Sequence, residues 1–336
     1  MHMADALISP ATGGAMWAMT GTVAIYCSAK IKDKLDDRKI PLMGVLGAFV
    51  FAAQMINFAI PATGSSGHLG GGLLLAILLG PSAAFLSLAS VLTVQALFFA
   101  DGGLLALGCN IFNLGFFPCF IAYPLIYRKI IGQNLTAGRL LFGAIAAAIV
   151  GLQLGSLGVV SQTFLSGIIP LSFSSFLLLM QAIHLPIGVI EGIATAGIIS
   201  FIWKTRPEIL ENGGVTKPLG RLPLRGLLTG LAITTLLTST VFVWFVSTRP
   251  DGLEWSLSRA IAPTAQHSAE KVPAPAIQKI QEKTALLPDY KFPGQIPEQT
   301  AGSLAGLIGG LLVLLFGLIT TIALKKCTGA TPRAGK

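Results

Sequence analysis

The sequence is poor in charge, poor in cysteine, and lacks the common hydrolytic signatures. Only 11% of its 336 residues are charged, against 53% hydrophobic, and the mean hydropathy is +0.76. That balance excludes a soluble domain with a large core and indicates a polytopic membrane protein. Four cysteines, Cys27, Cys109, Cys119 and Cys327, show neither CxxC nor paired spacing. A thiolate zinc site and a disulfide framework are therefore not implied. GxxxxGK[ST], HExxH and GxSxG are all missing, so no known motif for hydrolysing a nucleotide, peptide or ester is present. No basic stretch precedes the first apolar run, and Asp5 stands where one would be. A cleaved signal peptide is not expected, and Met1 and His2 are expected to be retained.

What charge there is has a pattern. The net charge of +9 resides in short basic clusters between apolar runs, as in cytoplasmic loops, and does not indicate a nucleic-acid partner. An all-α polytopic fold is expected. Spans are predicted at about residues 11–29 and 41–60, on either side of Lys30, Lys32, Lys34, Arg38 and Lys39. Residues 69–99 carry no charge; one long helix there would put every later basic cluster on the wrong side. Two passes broken at Gly80-Pro81 put them all inside, and Gly-Pro is where a helix stops. The first of these passes, about a dozen residues, spans roughly 18 Å. That is too short to cross alone, so the Gly/Ser-rich loop holding His68 must dip into the membrane and line a cavity. Further spans follow at about 104–127, 140–160 and 175–203, making a transmembrane component of residues 1–205. A cytoplasmic linker, 206–225, leads to a two-span module, 226–324, whose outer segment 248–302 contains seven prolines. A cytoplasmic tail, 325–336, follows. The positive-inside rule puts the amino terminus outside and the carboxyl terminus inside.

Met1 and His2 could offer one cation an amine, an amide and an imidazole in successive chelate rings. His68, predicted on the same side of the membrane, could supply a fourth nitrogen. A planar set of nitrogens suits Ni(II) or Cu(II) better than Zn(II) or Mg(II). The plainer alternative is two unrelated histidines. Intramembrane amides gather toward the same face: Gln54, Asn57, Gln95, Asn110 and Asn113. Gln181, His184, Glu191 and Thr195 form one stripe of a helix. An acid inside a span is a functional candidate, against the alternative of a paired packing residue.

Several stretches together resemble a known family. These are Met1-His2-Met3-Ala4-Asp5-Ala6-Leu7, Ser66-Gly67-His68-Leu69, the run from Gln95 to Gly103, Cys109-Asn110-Ile111-Phe112-Asn113, and the run from His184 to Gly192. They resemble the substrate-binding membrane component of nickel/cobalt energy-coupling-factor transporters, the CbiM/NikM family. Pro250-Asp251-Gly252-Leu253-Glu254 resembles the start of the PDGLE segment of a small companion subunit, so the chain looks like a NikMN-type fusion. The resemblance implies a seven-helix substrate-binding unit plus a two-helix module, in the cell (inner) membrane of a prokaryote. It implies metal ligands Met1, His2 and His68. It leaves Ser66, Gln54, Asn57, Gln95, Asn110, Asn113, His184 and Glu191 as supporting or pathway residues. Ni(II) or Co(II) would be transported substrate, with no organic cofactor and no enzymatic role. A transmembrane coupling subunit and cytoplasmic ATPase subunits would be the partners. Two other readings are a self-sufficient secondary transporter or channel and a membrane-embedded metalloenzyme. Against the first stand the lack of an internal repeat and the single confident intramembrane acid.

Overall fold

The computed structural model describes residues 2–32, 39–205, 225–261, 276–292 and 296–329. Met1, most of the expected linker, His267 and the end of the tail lie outside them. Helix α1 (Pro10–Lys32) and helix α2 (Lys39–Gln54) lead to a short antiparallel hairpin, β1 (Phe58–Ile60) and β2 (Ser65–Gly67). Helices α3 (Gly72–Leu79), α4 (Pro81–Phe99), α5 (Leu107–Ile131), α6 (Ala137–Ser166) and α7 (Phe173–Thr205) complete the first part. The second part has α8 (Arg225–Thr240), two short helices α9 (Gly252–Ala260) and α10 (Ala276–Thr284), and a long α11 (Glu298–Gly329). Five helices among the described residues, α4 to α7 and α11, are long and apolar enough to cross a membrane; α2 and α8 are shorter apolar helices. The chain is a multi-pass, all-α membrane protein.

The expected break at Gly80-Pro81 is present. Gly80, at φ +81°, ends α3, and Pro81 opens α4, where its missing N–H costs nothing. All eight residues of α3 are buried, so this half-length helix lies inside the bundle. The second expected span differs from the structure. Its helix stops at Gln54, and residues 58–67 form the hairpin instead. Along α5, Phe112–Tyr127 is wound as a π-helix with Pro118 and Pro124 inside it. Such widened turns are uncommon and gather near functional sites.

Small residues set the closest helix contacts. Gly188 on α7 meets α6 so closely that a methyl there would lie 2.8 Å from Ile149 Cα. Gly192, one turn later, meets Ile145 in the same way. Close backbone approach through small residues is how helices associate where lipid removes the hydrophobic drive. On the other side of the bundle, α11 packs along α2, with Gly309 over the Phe51 ring and Gly317 against Gly44.

Candidate metal centre

The start of the chain is threaded into the bundle and held by its backbone. Met3 is fully buried. Its N–H donates to Asn110 Oδ1 at 2.8 Å, and its carbonyl accepts from Asn110 Nδ2 at 3.1 Å and from the Gly103 N–H at 2.9 Å. Asp5 Oδ1 accepts the Ala106 N–H at 2.9 Å, beside the start of α5. Asn110 thus acts on the peptide that follows His2, as a strand partner would.

The His68 loop is held by a relay. Glu191, on α7, accepts two backbone N–H groups, from Gly70 at 2.8 Å and from Gly71 at 3.0 Å. Gln54 Nε2 donates to the Gly70 carbonyl at 2.8 Å, and Gln95 Nε2 donates to Gln54 Oε1 at 3.0 Å. Two glycines are required. Gly71 has φ +75°, and a methyl at Gly67 would come within 2.6 Å of Ile187. The intramembrane acid therefore acts here as a clamp on the loop.

The two loops bring their imidazoles together. The His2 and His68 rings are stacked, 5.1 Å between centres and 9° from parallel. Adding the ring radius to a metal–nitrogen bond of about 2 Å, two rings on one metal have centres no more than about 6 Å apart. The observed separation falls inside that limit. His68 Nδ1 lies 3.1 Å from the Leu69 carbonyl. A carbonyl only accepts, so Nδ1 carries the proton and Nε2 keeps its lone pair. His2 Nδ1 lies 3.3 Å from Asp101 Oδ1, and Nε2 is buried without a hydrogen-bond partner among the described residues. Chelation through Nδ1 therefore requires the ring to turn away from Asp101. Burial lowers the His2 pKa below the ordinary imidazole value, against Asp101, which raises it. Burial, with His2 alongside, pushes His68 well below that value. Both rings are therefore neutral near pH 7.

The second part of the chain closes over this site. Ser66 donates its N–H to the Pro250 carbonyl at 2.8 Å and its hydroxyl to the Arg249 carbonyl at 2.8 Å, and Ser66 bridges Asp251 as a short parallel ladder. Asp251 caps α9 by accepting the Glu254 N–H at 2.8 Å. Burial pushes its carboxyl up, but neighbouring groups, the Glu254 N–H among them, hold it at about 2. Tyr290 donates to Asp101 Oδ2 at 2.6 Å, and Gln281 donates to the Ala96 and Gly102 carbonyls at 2.8 Å each.

Of the residues singled out from sequence, His2, His68, Ser66, Gln54, Gln95, Asn110 and Glu191 converge here. His184 lines a cavity next to His68. Asn57 and Asn113 make their bonds to other partners. The Asn57 carbonyl accepts the Ser247 N–H, and Asn113 pairs reciprocally with Gln162 at 2.7 and 3.0 Å, with its Nδ2 3.9 Å from the Met3 sulfur. Met1 lies outside the described residues. Asp101, Asp251 and Tyr290 were missed by the sequence reading. The first two stood inside quoted motifs, but loop acids were not weighed as site residues.

Residues 2–209 match the profile of the cobalt uptake substrate-specific transmembrane region family, CbiM. The chain belongs to this family. Residues 225–326 match the PDGLE domain, so CbiM-type and PDGLE-type parts are fused in one chain. A chain from Archaeoglobus fulgidus, assigned as a fused nickel transport protein NikMN, is 32% identical over 96% of this chain and 98% of its own length. The cobalt transport protein CbiM of Sorangium cellulosum is 33% identical over 51% of this chain and 76% of its own. The crystal structure of a truncated transition metal transporter aligns over 61% of this CbiM-family chain and 99% of its own, at 30% identity and a TM-score of 0.54. The family and these relatives are metal-transport components, not enzymes.

Proposed function

We propose that this chain is the substrate-specific membrane component of an ATP-driven, energy-coupling-factor nickel importer, with cobalt as the other candidate cargo. The metal is captured by four nitrogens: the Met1 amine, the His2 amide and imidazole, and the His68 imidazole. The observation that carries this reading is the near-parallel pairing of His2 and His68 from two separately anchored segments. Residues 1–205 form the metal-binding component, 206–225 a cytoplasmic linker, and 226–324 a PDGLE-type module with outer segment 248–302. The protein resides in the cell membrane with its amino terminus outside and its carboxyl terminus, 325–336, in the cytoplasm. A coupling subunit and ATPase subunits supply the energy.

The module closing over the site favours loading of the metal by contacting one state of the loop more than the other. Reconstitution in vesicles tests the whole reading. Nickel uptake is expected only with the coupling and ATPase subunits and with ATP. Uptake by this chain alone would establish a self-sufficient carrier instead. Competition of Ni(II) against Co(II) on the purified protein decides the cargo.

A further inference from the structure

Gln95 and Asp101 flank His2 from one turn at the end of α4, where the Asp101 N–H donates to the Gln95 carbonyl at 3.1 Å. Gln95 is buried, and its side chain lies beside the His2 imidazole and the Tyr290 hydroxyl. Two buried atoms there lack a hydrogen bond among the described residues: His2 Nε2 and Gln95 Oε1.

The direction of the amides follows from one carbonyl. The Gly70 carbonyl can only accept, so Gln54 turns its Nε2 to it, at 2.8 Å, and its Oε1 to Gln95. Gln95 must then give its Nε2 to Gln54, at 3.0 Å, which leaves its own Oε1 on the His2 side. Reversing either amide would set oxygen against oxygen. The relay from the His68 loop therefore presents an acceptor to His2 Nε2. Asp101 favours the opposite tautomer, because its carboxylate faces Nδ1 at 3.3 Å and also accepts. A neutral imidazole has one N–H, so it serves one of these acceptors at a time. With Asp101 served, as observed, Nε2 and Gln95 Oε1 meet as two acceptors that cannot bond.

We infer that Gln95 is the positioning residue for His2 in the loaded site: once Nδ1 takes the metal, the ring N–H is at Nε2 and is donated to Gln95 Oε1. The inference rests on the four-nitrogen reading above and names what holds its His2 ring. The ring keeps one proton throughout, exchanged through water from Nδ1 to Nε2. Parting from Asp101 is undemanding, since 3.3 Å is beyond the about 2.7–3.2 Å usual for an N–H···O bond. Asp101 retains the Tyr290 hydroxyl at 2.6 Å. Buried polar groups without partners are costly, and coordination through Nδ1 relieves both at once. Metal-ligating histidines commonly donate their other N–H to an outer partner of this kind. Because Gln95 also holds Gln54, and through it the Gly70 carbonyl, the same bond ties His2 to the His68 loop.

The test is NMR of the full-length chain in detergent, isotope-labelled at its histidine nitrogens, before and after nickel chloride. Planar Ni(II) is diamagnetic, so the loaded chain keeps sharp lines, and signals absent from His2→Ala belong to His2. Loading is expected to move the His2 N–H from Nδ1 to Nε2 and to slow its exchange with water. In Gln95→Met that protection should be lost, and nickel affinity should fall about ten- to a hundredfold. Gln95→Glu keeps an oxygen in this place, so the Nε2–H should persist and shift downfield. This second variant decides the matter if Gln95→Met does not fold. An Nε2–H that stays protected in Gln95→Met, or that Gln95→Glu leaves unmoved, overturns the inference and leaves the four-nitrogen site standing. An N–H that stays on Nδ1, or His2 lines broadened by a paramagnetic ion, defeats the planar site itself and the inference with it.

Discussion

At His2 and His68, burial works in favour of coordination. Each imidazole is held below its ordinary pKa, chiefly by desolvation, so each stays neutral to a more acid pH than the usual 6.5 or so. A lowered pKa means that the proton competes with the metal only below that value. The imidazole-linked loss of affinity therefore begins below about 6.5. Loss between pH 8 and 6.5 belongs to the terminal amine, ordinarily near 7.7–8.0, and to the ionising amide. Nickel titrations are expected to weaken gradually over that range and steeply beneath it; a flat profile down to pH 5 would indicate carboxylate ligands. His2→Ala and His68→Ala should each weaken nickel binding more than about a hundredfold, the upper end for loss of a mere supporting residue. Calorimetry on both variants checks this, and wild-type affinity in either moves the site elsewhere. Glu191→Gln replaces two acceptors by one and turns an amide N–H₂ toward a backbone donor. A hydrogen bond to a charged group is worth about 1.5–3 kcal/mol, so a loosened loop and at least tenfold weaker binding are expected. Hydrogen exchange across residues 66–72 should rise; unchanged protection would remove the clamp.

At the level of elements, the chain start and the His68 loop are positioned by different neighbours. Asn110 and Asp5 fasten the first to the start of α5, while Glu191 and Gln54 fasten the second to α7 and α2. Extra residues ahead of Met1 would turn the amine into an amide and crowd this threaded segment. An amino-terminal tag should therefore abolish nickel uptake, and a carboxyl-terminal tag should not. Equal uptake by the two tagged forms would rule the amine out as a ligand. Much of this arrangement was legible in the sequence. Gly80-Pro81 announced the break between α3 and α4, and the charge-free loops kept His2 and His68 together. The hairpin was not legible, because Phe58, Ala59 and Ile60 read as the end of an apolar helix. The role of Glu191 was half legible: its stripe on α7 was plain, but its partners are backbone N–H groups, which carry no residue signature. Asp101 and Asp251 looked like solvated loop acids. What covers them in part comes from the other part of the chain; Tyr290 is 189 residues beyond Asp101.

For the whole molecule, the question is what the fused second part contributes. Truncation after residue 205 removes Asp251 from the cavity, Tyr290 from Asp101, and the Pro250 carbonyl from Ser66. Nickel uptake by the reconstituted transporter is expected to drop sharply, with the first part still inserted in the membrane. Undiminished uptake would leave the second part with no demonstrated role. Around the site, its attachments include backbone bonds from Ser66 N–H to Pro250, Ser247 N–H to Asn57 and Leu287 N–H to Phe98, the side-chain bonds of Tyr290 and Gln281, and the stacking of Tyr290 on Phe99. Each backbone bond contributes only about 0.5–1.5 kcal/mol net. As a separate polypeptide, such a cover would have to find the site by diffusion at cellular concentration. Joined in one chain, it meets the site at an effective concentration that can reach the millimolar range. The cover is then at hand whatever the affinity of its contacts, so covalent linkage relieves this interface of selection for tight binding.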